Sequence, residues 1–464
     1  MMMIASIRSV SICLLFALIL PGLARALPAF NRQTGQNCVA CHAGGQFPEL
    51  TPYGRLFKLT GYTIGKRNDL PLSVMAVASD SRVRNTIKSE DPSQDFQKNG
   101  SLIFATASAF AAGKITDNLG AFLQVTYDNY ASQSDDGKFH GHTQADNMDI
   151  RYADRVVSSE RDVIWGVTVN NNPSVSDPWN SAAAWMQYVP VPSPTSSRFI
   201  DGTAPYPGFA AGGNIAGLSA YIFWNQWIYA EVGGYRTAKG LVSFMSAGVA
   251  NADKTKLQGT NPYWRIAVSH GWGAHNWMVG ASGMRAKVYD DPLDTSDPLS
   301  VHRYRDIGVD SQYQYLLDPH AVTVQLAYMR DTHRYPPFLA DQPATDAFGN
   351  PLPDTNARDS TRVFRIKGSY VYGAKYGGSL ALFNQTGTRN SALYDPTPVS
   401  GNISSSPAIR GWTSEAFWTP VQYLRIGLQY TGYSRYNGAS HNYDGAGRNA
   451  RDNNTLFIYL WAAY

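Results

Sequence analysis

Leu119-Gly-Ala-Phe-Leu-Gln-Val-Thr-Tyr127 is the stretch on which the fold turns. In an extended chain Leu119, Ala121, Leu123, Val125 and Tyr127 fall on one side. Gly120, Phe122, Gln124 and Thr126 fall on the other. The first face suits lipid and the second suits a wet interior.

The same period of two recurs along the chain. Val163, Trp165, Val167 and Val169 alternate with Ile164, Gly166, Thr168 and Asn170. Val322, Val324, Leu326 and Tyr328 alternate with Thr323, Gln325, Ala327 and Met329. Leu424, Ile426, Leu428 and Tyr430 alternate with Arg425, Gly427, Gln429 and Thr431. These runs outlast the usual sandwich strand of about 5–6 residues. The composition agrees: 28 Tyr, 11 Trp and 41 Gly in 464 residues, with a negative mean hydropathy. Past the N-terminal region no stretch approaches the roughly 18 continuous apolar residues of a transmembrane helix. An all-β outer-membrane barrel is the expected fold.

The connections alternate in length. Short turns are predicted near Thr116–Asn118, Ser158–Glu160, Asn225–Gln226, Gly271–His275, Leu316–Pro319, Gly373–Gly377 and Thr419–Gln422. Long polar loops are predicted near 86–98, 131–144, 172–212, 238–261, 289–300, 334–360, 389–406 and 437–452. Short periplasmic turns and long extracellular loops are the habit of such barrels. Seven turns and eight loops predict about sixteen antiparallel strands over 70–464, with both barrel ends facing the periplasm. The chain closes on Thr455-Leu-Phe-Ile-Tyr-Leu-Trp-Ala-Ala-Tyr464, where Leu456, Ile458, Leu460, Ala462 and Tyr464 share a face. That pattern resembles the C-terminal signature of bacterial outer-membrane proteins.

Residues 1–26 read as a secretory signal peptide. Arg8 precedes an apolar run from Val10 to Leu20, Pro21 and Gly22 break it, and Ala24-Arg25-Ala26 offers a small-residue cleavage site. The formal charge of +4 falls further once Arg8 and Arg25 are removed. Near-neutrality gives no basis for a nucleic-acid partner. Of the three cysteines, Cys13 lies in the leader, which leaves Cys38 and Cys41.

Those two stand in Cys38-Val39-Ala40-Cys41-His42, a C-x-x-C-H run. Two thiols at this spacing can bond the vinyl groups of one haem covalently, and His42 is then the proximal iron ligand. A zinc site would need two further ligands, and the chain has no second cysteine pair. A redox dithiol would need a βαβ context, and none is readable here. The expected cofactor is one covalent haem c, carried on a short segment, 27–69.

Around the motif, Leu50 to Lys58 predicts a short helix with Thr51-Pro52 as cap and first turn. Phe47, Leu50, Tyr53, Phe57 and Tyr62 suit packing on a porphyrin, and Arg55 and Lys58 suit its propionates. A segment of this size cannot bury both haem faces alone. It is therefore expected to sit in or against the barrel mouth, plugging or lining the lumen. Met75, in Leu72-Ser-Val-Met-Ala-Val-Ala78, shares the predicted lumenal face with Ser73 and Val77 and is the candidate distal ligand. Met329, His270 and an empty or water-bound site are the alternatives.

With the motif come Phe47-Pro-Glu-Leu50 and Tyr53-Gly-Arg-Leu-Phe-Lys-Leu-Thr-Gly-Tyr62. A secreted C-x-x-C-H segment, this sequence and then a barrel resemble the fused outer-membrane monohaem cytochrome c–porin family. Among its members are iron-oxidising outer-membrane cytochromes. The resemblance is specific over about residues 27–65; the barrel matches by pattern. It implies electron flow from an extracellular reductant, Fe(II) being the best-known donor, through one haem to a periplasmic carrier in an outer-membrane protein. The alternative is a solute porin with a haem-containing plug or redox sensor.

The predicted loops carry Asp135, Asp136, His140, His142 and Asp146, and Asp290, Asp291, Asp294 and Asp297. They read as solvated loops, with ligand types that can attract ferrous ions. Arg151, Arg365, Lys367 and Arg425 are expected in the lumen, with Asp128 and Asp149 as partners. Trp179, Trp185 and Tyr188 are read as packing residues of a long loop that folds inward.

Overall fold

The computed structural model of the protein describes residues 28–45, 49–85, 100–133, 139–181, 214–246, 255–337, 356–391 and 402–464. The predicted leader, Phe47, Asp135, Asp136, Trp185, Tyr188 and the side chain of Asp128 lie outside the described residues.

Sixteen strands close into one barrel: β1 (Leu72–Val83), β2 (Leu102–Lys114), β3 (Leu119–Gln133), β4 (Phe139–Val157), β5 (Asp162–Asn170), β6 (Ile215–Trp224), β7 (Ile228–Thr237), β8 (Asn261–Trp272), β9 (His275–Tyr289), β10 (Val301–Leu317), β11 (His320–Arg334), β12 (Arg358–Tyr372), β13 (Tyr376–Gly387), β14 (Ile409–Val421), β15 (Leu424–Arg435) and β16 (Thr455–Ala463). Each pairs antiparallel with its sequence neighbours. The first and last strands complete the circle, from Met75 opposite Ala463 to Val83 opposite Thr455. Closure satisfies every strand edge within the sheet, which a lipid environment demands. The predicted alternation of turns and loops holds. The one sizeable difference lies between β3 and β4, where the strands extend to Gln133 and resume at Phe139. Polar residues there continue the ladder because backbone pairing does not depend on side-chain hydrophobicity.

The two faces of the wall separate as the sequence predicts. Val125, Trp165, Val167, Ile426, Leu428 and Ile458 are exposed on the outside. Gln124, Thr168, Asn170, Arg425, Gln429 and Thr431 are buried on the inside. Trp224, Trp227, Trp272, Trp277, Tyr372, Tyr376, Trp418 and Tyr464 are exposed aromatics at the end with the short turns. Phe104, Trp264 and Trp412 stand near the opposite end. Such girdles mark the two interfaces of an outer-membrane barrel. The chain is a porin-like outer-membrane β-barrel in contact with membrane lipid. No helix among the described residues is long and apolar enough to cross a membrane.

Candidate functional site

Residues 28–45 and 49–66 form a plug at the end of the barrel that carries the short turns. Helices span Ala29–Thr34, Cys38–Cys41 and Pro52–Leu59. The last is the predicted one. Thr51 caps it by accepting from the Gly54 amide at 3.1 Å, and Pro52 fills the first turn, where its missing N–H is not needed. The motif is clamped to this helix. The Thr51 amide donates to the Cys41 carbonyl at 2.9 Å, and the Ala43 amide to the Glu49 carbonyl at 2.8 Å. His42 and Leu50 form an antiparallel bridge. A Cβ on Gly54 would overlap the Cys41 carbonyl, so glycine is what allows helix and motif to touch.

Plug contacts run around the barrel. The Cys38 amide donates to the Gln422 side chain in the β14–β15 turn at 3.5 Å. Glu49 pairs with Lys367 of β12 at 2.8 Å. Arg55 donates to Gln314 of β10 at 3.0 Å and to the Leu50 carbonyl at 2.8 Å. The Tyr221 hydroxyl of β6 donates to the Leu59 carbonyl at 2.7 Å. The Tyr62 hydroxyl donates to Asp149 of β4 at 2.6 Å. Gln33 receives the Lys114 amide of β2 at 2.9 Å and donates to the Tyr62 carbonyl at 2.6 Å. Phe30 packs edge-on against Phe57 at 4.8 Å and stacks with Tyr62 at 5.5 Å and with Phe122 of β3 at 6.1 Å.

A second element meets the plug from the opposite side. After β5 the chain turns inward through Pro173–Ser176. Lys58 donates to the Asp177 carbonyl at 2.7 Å and to the Asn180 side chain at 3.1 Å. Trp179 is buried in a cluster with Leu59 and Tyr229. Arg151 donates to the Ser176 carbonyl at 2.8 Å, and Arg265 pairs with Asp177 at 3.1 Å. The inward course of residues 172–181, the described part of this loop, and the packing role of Trp179 match expectation. Arg55 and Lys58, which the sequence leaves open between haem propionates and packing, bond barrel and loop oxygens. Burial lowers Lys58 to about 8, with nearby Arg151 adding to the effect against Asp149, Asp177 and Glu231. Burial likewise brings Arg55 down to about 10.

The expected lumenal pairings are found in part. Arg151 pairs with Asp149 at 2.9 Å, both fully buried. Arg425 pairs with Glu415 at 2.9 Å, and Lys367 takes Glu49. Sequence reasoning did not single out Gln33, Glu49, Gly54, Asp177 or Gln422. Each acts across the fold; Glu49 and Gly54 lie within the stretch that carries the resemblance, but its spacing does not state what they touch.

Cys38 and Cys41 are free thiols on one helical turn, both partly buried. Burial pushes Cys38 up, and pushes Cys41 up to about 11 with Cys38 beside it adding to the rise. Burial lowers His42 to about 4; Glu49 opposes the shift and Lys58 assists it. A neutral imidazole is the form that binds a metal. His42 Nδ1 is enclosed with no hydrogen-bond partner. Two free thiols, an adjoining neutral imidazole and an unsatisfied ring nitrogen fit the donor set of a c-type haem.

Met75 faces the interior and packs on the cluster of Val77, Ile103, Phe457, Tyr459 and Trp461. It lies at the motif's end of the barrel, since β1 neighbours β16 and Gln422 precedes β15. Met329 packs far along β11 against the Tyr263–Met284–Tyr304 cluster. His270 lies between Trp227 at 4.4 Å and Trp272 at 5.6 Å, and its position in β8 places it on the outward face with Trp264, Ile266 and Val268. That removes His270 as a lumenal ligand. Of the residues expected in loops, Asp290 accepts from His302 at 2.7 Å, whereas His140, His142 and Asp146 lie in β4, because the ladder extends past the predicted loop bounds, and Asp146 takes the Thr126 hydroxyl at 2.6 Å. No group of three or more His, Cys, Asp or Glu side chains among the described residues is arranged to hold a metal ion.

No family model and no curated protein matches the chain. Similar solved structures include OmpF of Salmonella typhi in complex with daunomycin, at 9% identity over 85% of this chain and 97% of that one, TM-score 0.43. The outer-membrane channel DcaP of Acinetobacter baumannii gives 12% identity over 85% and 96%, TM-score 0.44. OmpT of Vibrio cholerae gives 10% over 85% and 98%, TM-score 0.42. The barrel assignment itself rests on the closed sheet and its apolar exterior.

Proposed function

We propose that the chain is a porin-like barrel whose plug carries one haem c, and that it moves electrons from an extracellular reductant to a periplasmic carrier. The observation that carries this is the C-x-x-C-H motif seated in a plug that is tethered to strands around the barrel. Bound haem supplies a one-electron couple. Cys38 and Cys41 are assigned to its covalent attachment, His42 to the proximal iron position and Met75 to the distal one. The described residues of the plug and of the inward loop stand in the lumen, and on this reading the barrel passes electrons rather than bulk solute. Val39, 46% exposed within the motif, offers an apolar contact at the periplasmic mouth for a carrier. Fe(II) is the proposed donor, as substrate.

The barrel on its own supports a plainer reading more directly, namely a solute channel whose plug contains haem as lock or sensor. Sixteen strands enclose a lumen wide enough for water and solutes once unobstructed. One pair of measurements on the purified full-length protein separates the two. Covalent haem that ferrous iron reduces, with no conductance in planar bilayers, supports electron transfer. Steady conductance with a haem inert to Fe(II) overturns it in favour of the channel. For Met75, the Met75→Ala variant should lose the methionine–iron charge-transfer band of the oxidised spectrum; a retained band rules it out.

A further inference from the structure

On the outer wall of β9–β12, at the end opposite the short turns, basic side chains stand in register. Arg305 of β10 lies opposite Arg285 of β9, Arg303 of β10 opposite Arg334 of β11, and Arg330 of β11 opposite Arg362 of β12. All six are exposed. They share a face with the exposed apolar residues beneath them, Val279 on β9, Ile307 and Val309 on β10, Tyr328 on β11 and Phe364 on β12. The acids of the same strands, Asp306, Asp310, Asp331 and Asp359, are buried on the inner face. Charge is therefore sorted by side, and among the described residues no salt bridge reaches the six arginines. From Leu317 at the short turns, β10 climbs about 30 Å to Arg305, at roughly 3.3 Å per residue and a tilt of about 40°. The apolar band of such a barrel is about 25 Å tall, so the arginines stand at its outer rim, level with lipid headgroups.

Like charges directly opposite one another on one face destabilise a sheet. Three such pairs in one patch, with the acids turned inward, call for a counter-charge from outside the chain. We propose that the outer rim of β9–β12 is a binding site for phosphorylated headgroups of the lipids that surround the barrel. Guanidinium forks meet phosphate oxygens two at a time, a match that a compact ammonium does not make. Four strands about 4.8 Å apart spread the arginines over about 14 Å, so one headgroup with two phosphates can meet several of them. The apolar wall directly below already faces lipid chains. A lipid therefore reaches the arginines while its tails stay against that wall. Free phosphate gains nothing from the apolar wall, and a soluble acidic protein would have to displace lipid from it. The site lies outside the lumen and serves an electron carrier and a solute channel alike.

The test is a binding titration of the purified full-length protein in detergent, with diphosphoryl lipid A, dephosphorylated lipid A and inorganic phosphate as probes. One variant carries Arg305→Gln, Arg330→Gln and Arg362→Gln. A control carries Lys66→Gln, Arg67→Gln and Arg161→Gln, an equal loss of exposed charge at the short-turn end. The outer variant should bind diphosphoryl lipid A about a hundredfold more weakly, as three basic side chains at a lipid surface imply. The control should bind as the unaltered protein does. Diphosphoryl lipid A should also raise the thermal midpoint of the unaltered protein and the control, but not of the outer variant. Equal weakening in both variants overturns the proposal, as does equal affinity for dephosphorylated lipid A. Inorganic phosphate bound as tightly as the lipid overturns the lipid assignment. Self-association through this face in place of lipid binding overturns it in favour of a second copy of the chain. If the outer variant fails to fold, Arg330→Gln alone decides: about a fivefold loss is expected, and unchanged affinity overturns the site. None of these measurements reads haem, so their failure is distinct from failure of the electron-transfer reading.

Discussion

At the scale of single residues, the molecule is governed by a few side chains that satisfy or exclude one another at the plug surface. Arg151 and Asp149 are both fully buried, and Asp149 also holds the Tyr62 hydroxyl of the plug. Replacing Arg151 with Leu leaves a buried carboxylate uncompensated, which should cost about 3–5 kcal/mol of stability. Denaturant unfolding in detergent measures it, and adding Asp149→Leu should recover much of the loss. Gly54 is the second such point. A methyl there meets the Cys41 carbonyl, and overpacking of this kind costs about 1–3 kcal/mol. Gly54→Ala should leave the barrel folded but make the plug more sensitive to protease; cleavage at the unaltered rate would refute the close-approach argument. Of these residues only Arg151 and Asp149 stood out in the sequence, as lumenal charges on an alternating strand. Gly54 carried no sign of its role, because what it touches is a separate helix of the plug.

At the scale of elements, the plug helix Pro52–Leu59 was legible from Thr51 and Pro52, since capping is local chemistry. Thr51→Ala should cost about 1 kcal/mol. Hydrogen exchange should show it as faster exchange at Gly54 and along this helix, with barrel strands unchanged. The inward loop shows the reverse. Its length and aromatic content predicted that it folds inward, but its latch to the plug was not readable. Lys58 suited haem propionates or plain packing equally well from sequence, and in the fold it bonds Asp177 and Asn180. Lys58→Met should speed exchange in residues 173–181 more than in the plug helix, because loop residues have fewer backbone partners. An unchanged loop would mean that the Arg265 and Arg151 contacts suffice to hold it.

At the scale of the whole molecule, the exterior belt and the polar lumen impose opposite rules on neighbouring residues. Leu428, near the middle of β15, is 46% exposed to the membrane side, whereas Gln429 is 7% exposed inside. Leu428→Arg should destabilise the barrel by about 2–4 kcal/mol. Reversible unfolding from lipid vesicles is the appropriate measure, and an effect below that seen for a loop arginine would place Leu428 outside the belt.

The strand count, the turn and loop alternation, the inward and outward faces and the C-x-x-C-H motif were determined by sequence alone. Each is a short-range property: a period of two, a run of turn residues, or five consecutive positions. Where the motif sits was decided by tertiary structure. Glu49 and Lys367 are 318 residues apart in the chain, and Lys58 finds Asp177 119 residues away. No period or spacing encodes such pairs. They follow from closure of the barrel, which fixes the interior shape against which a short plug must satisfy its buried charges.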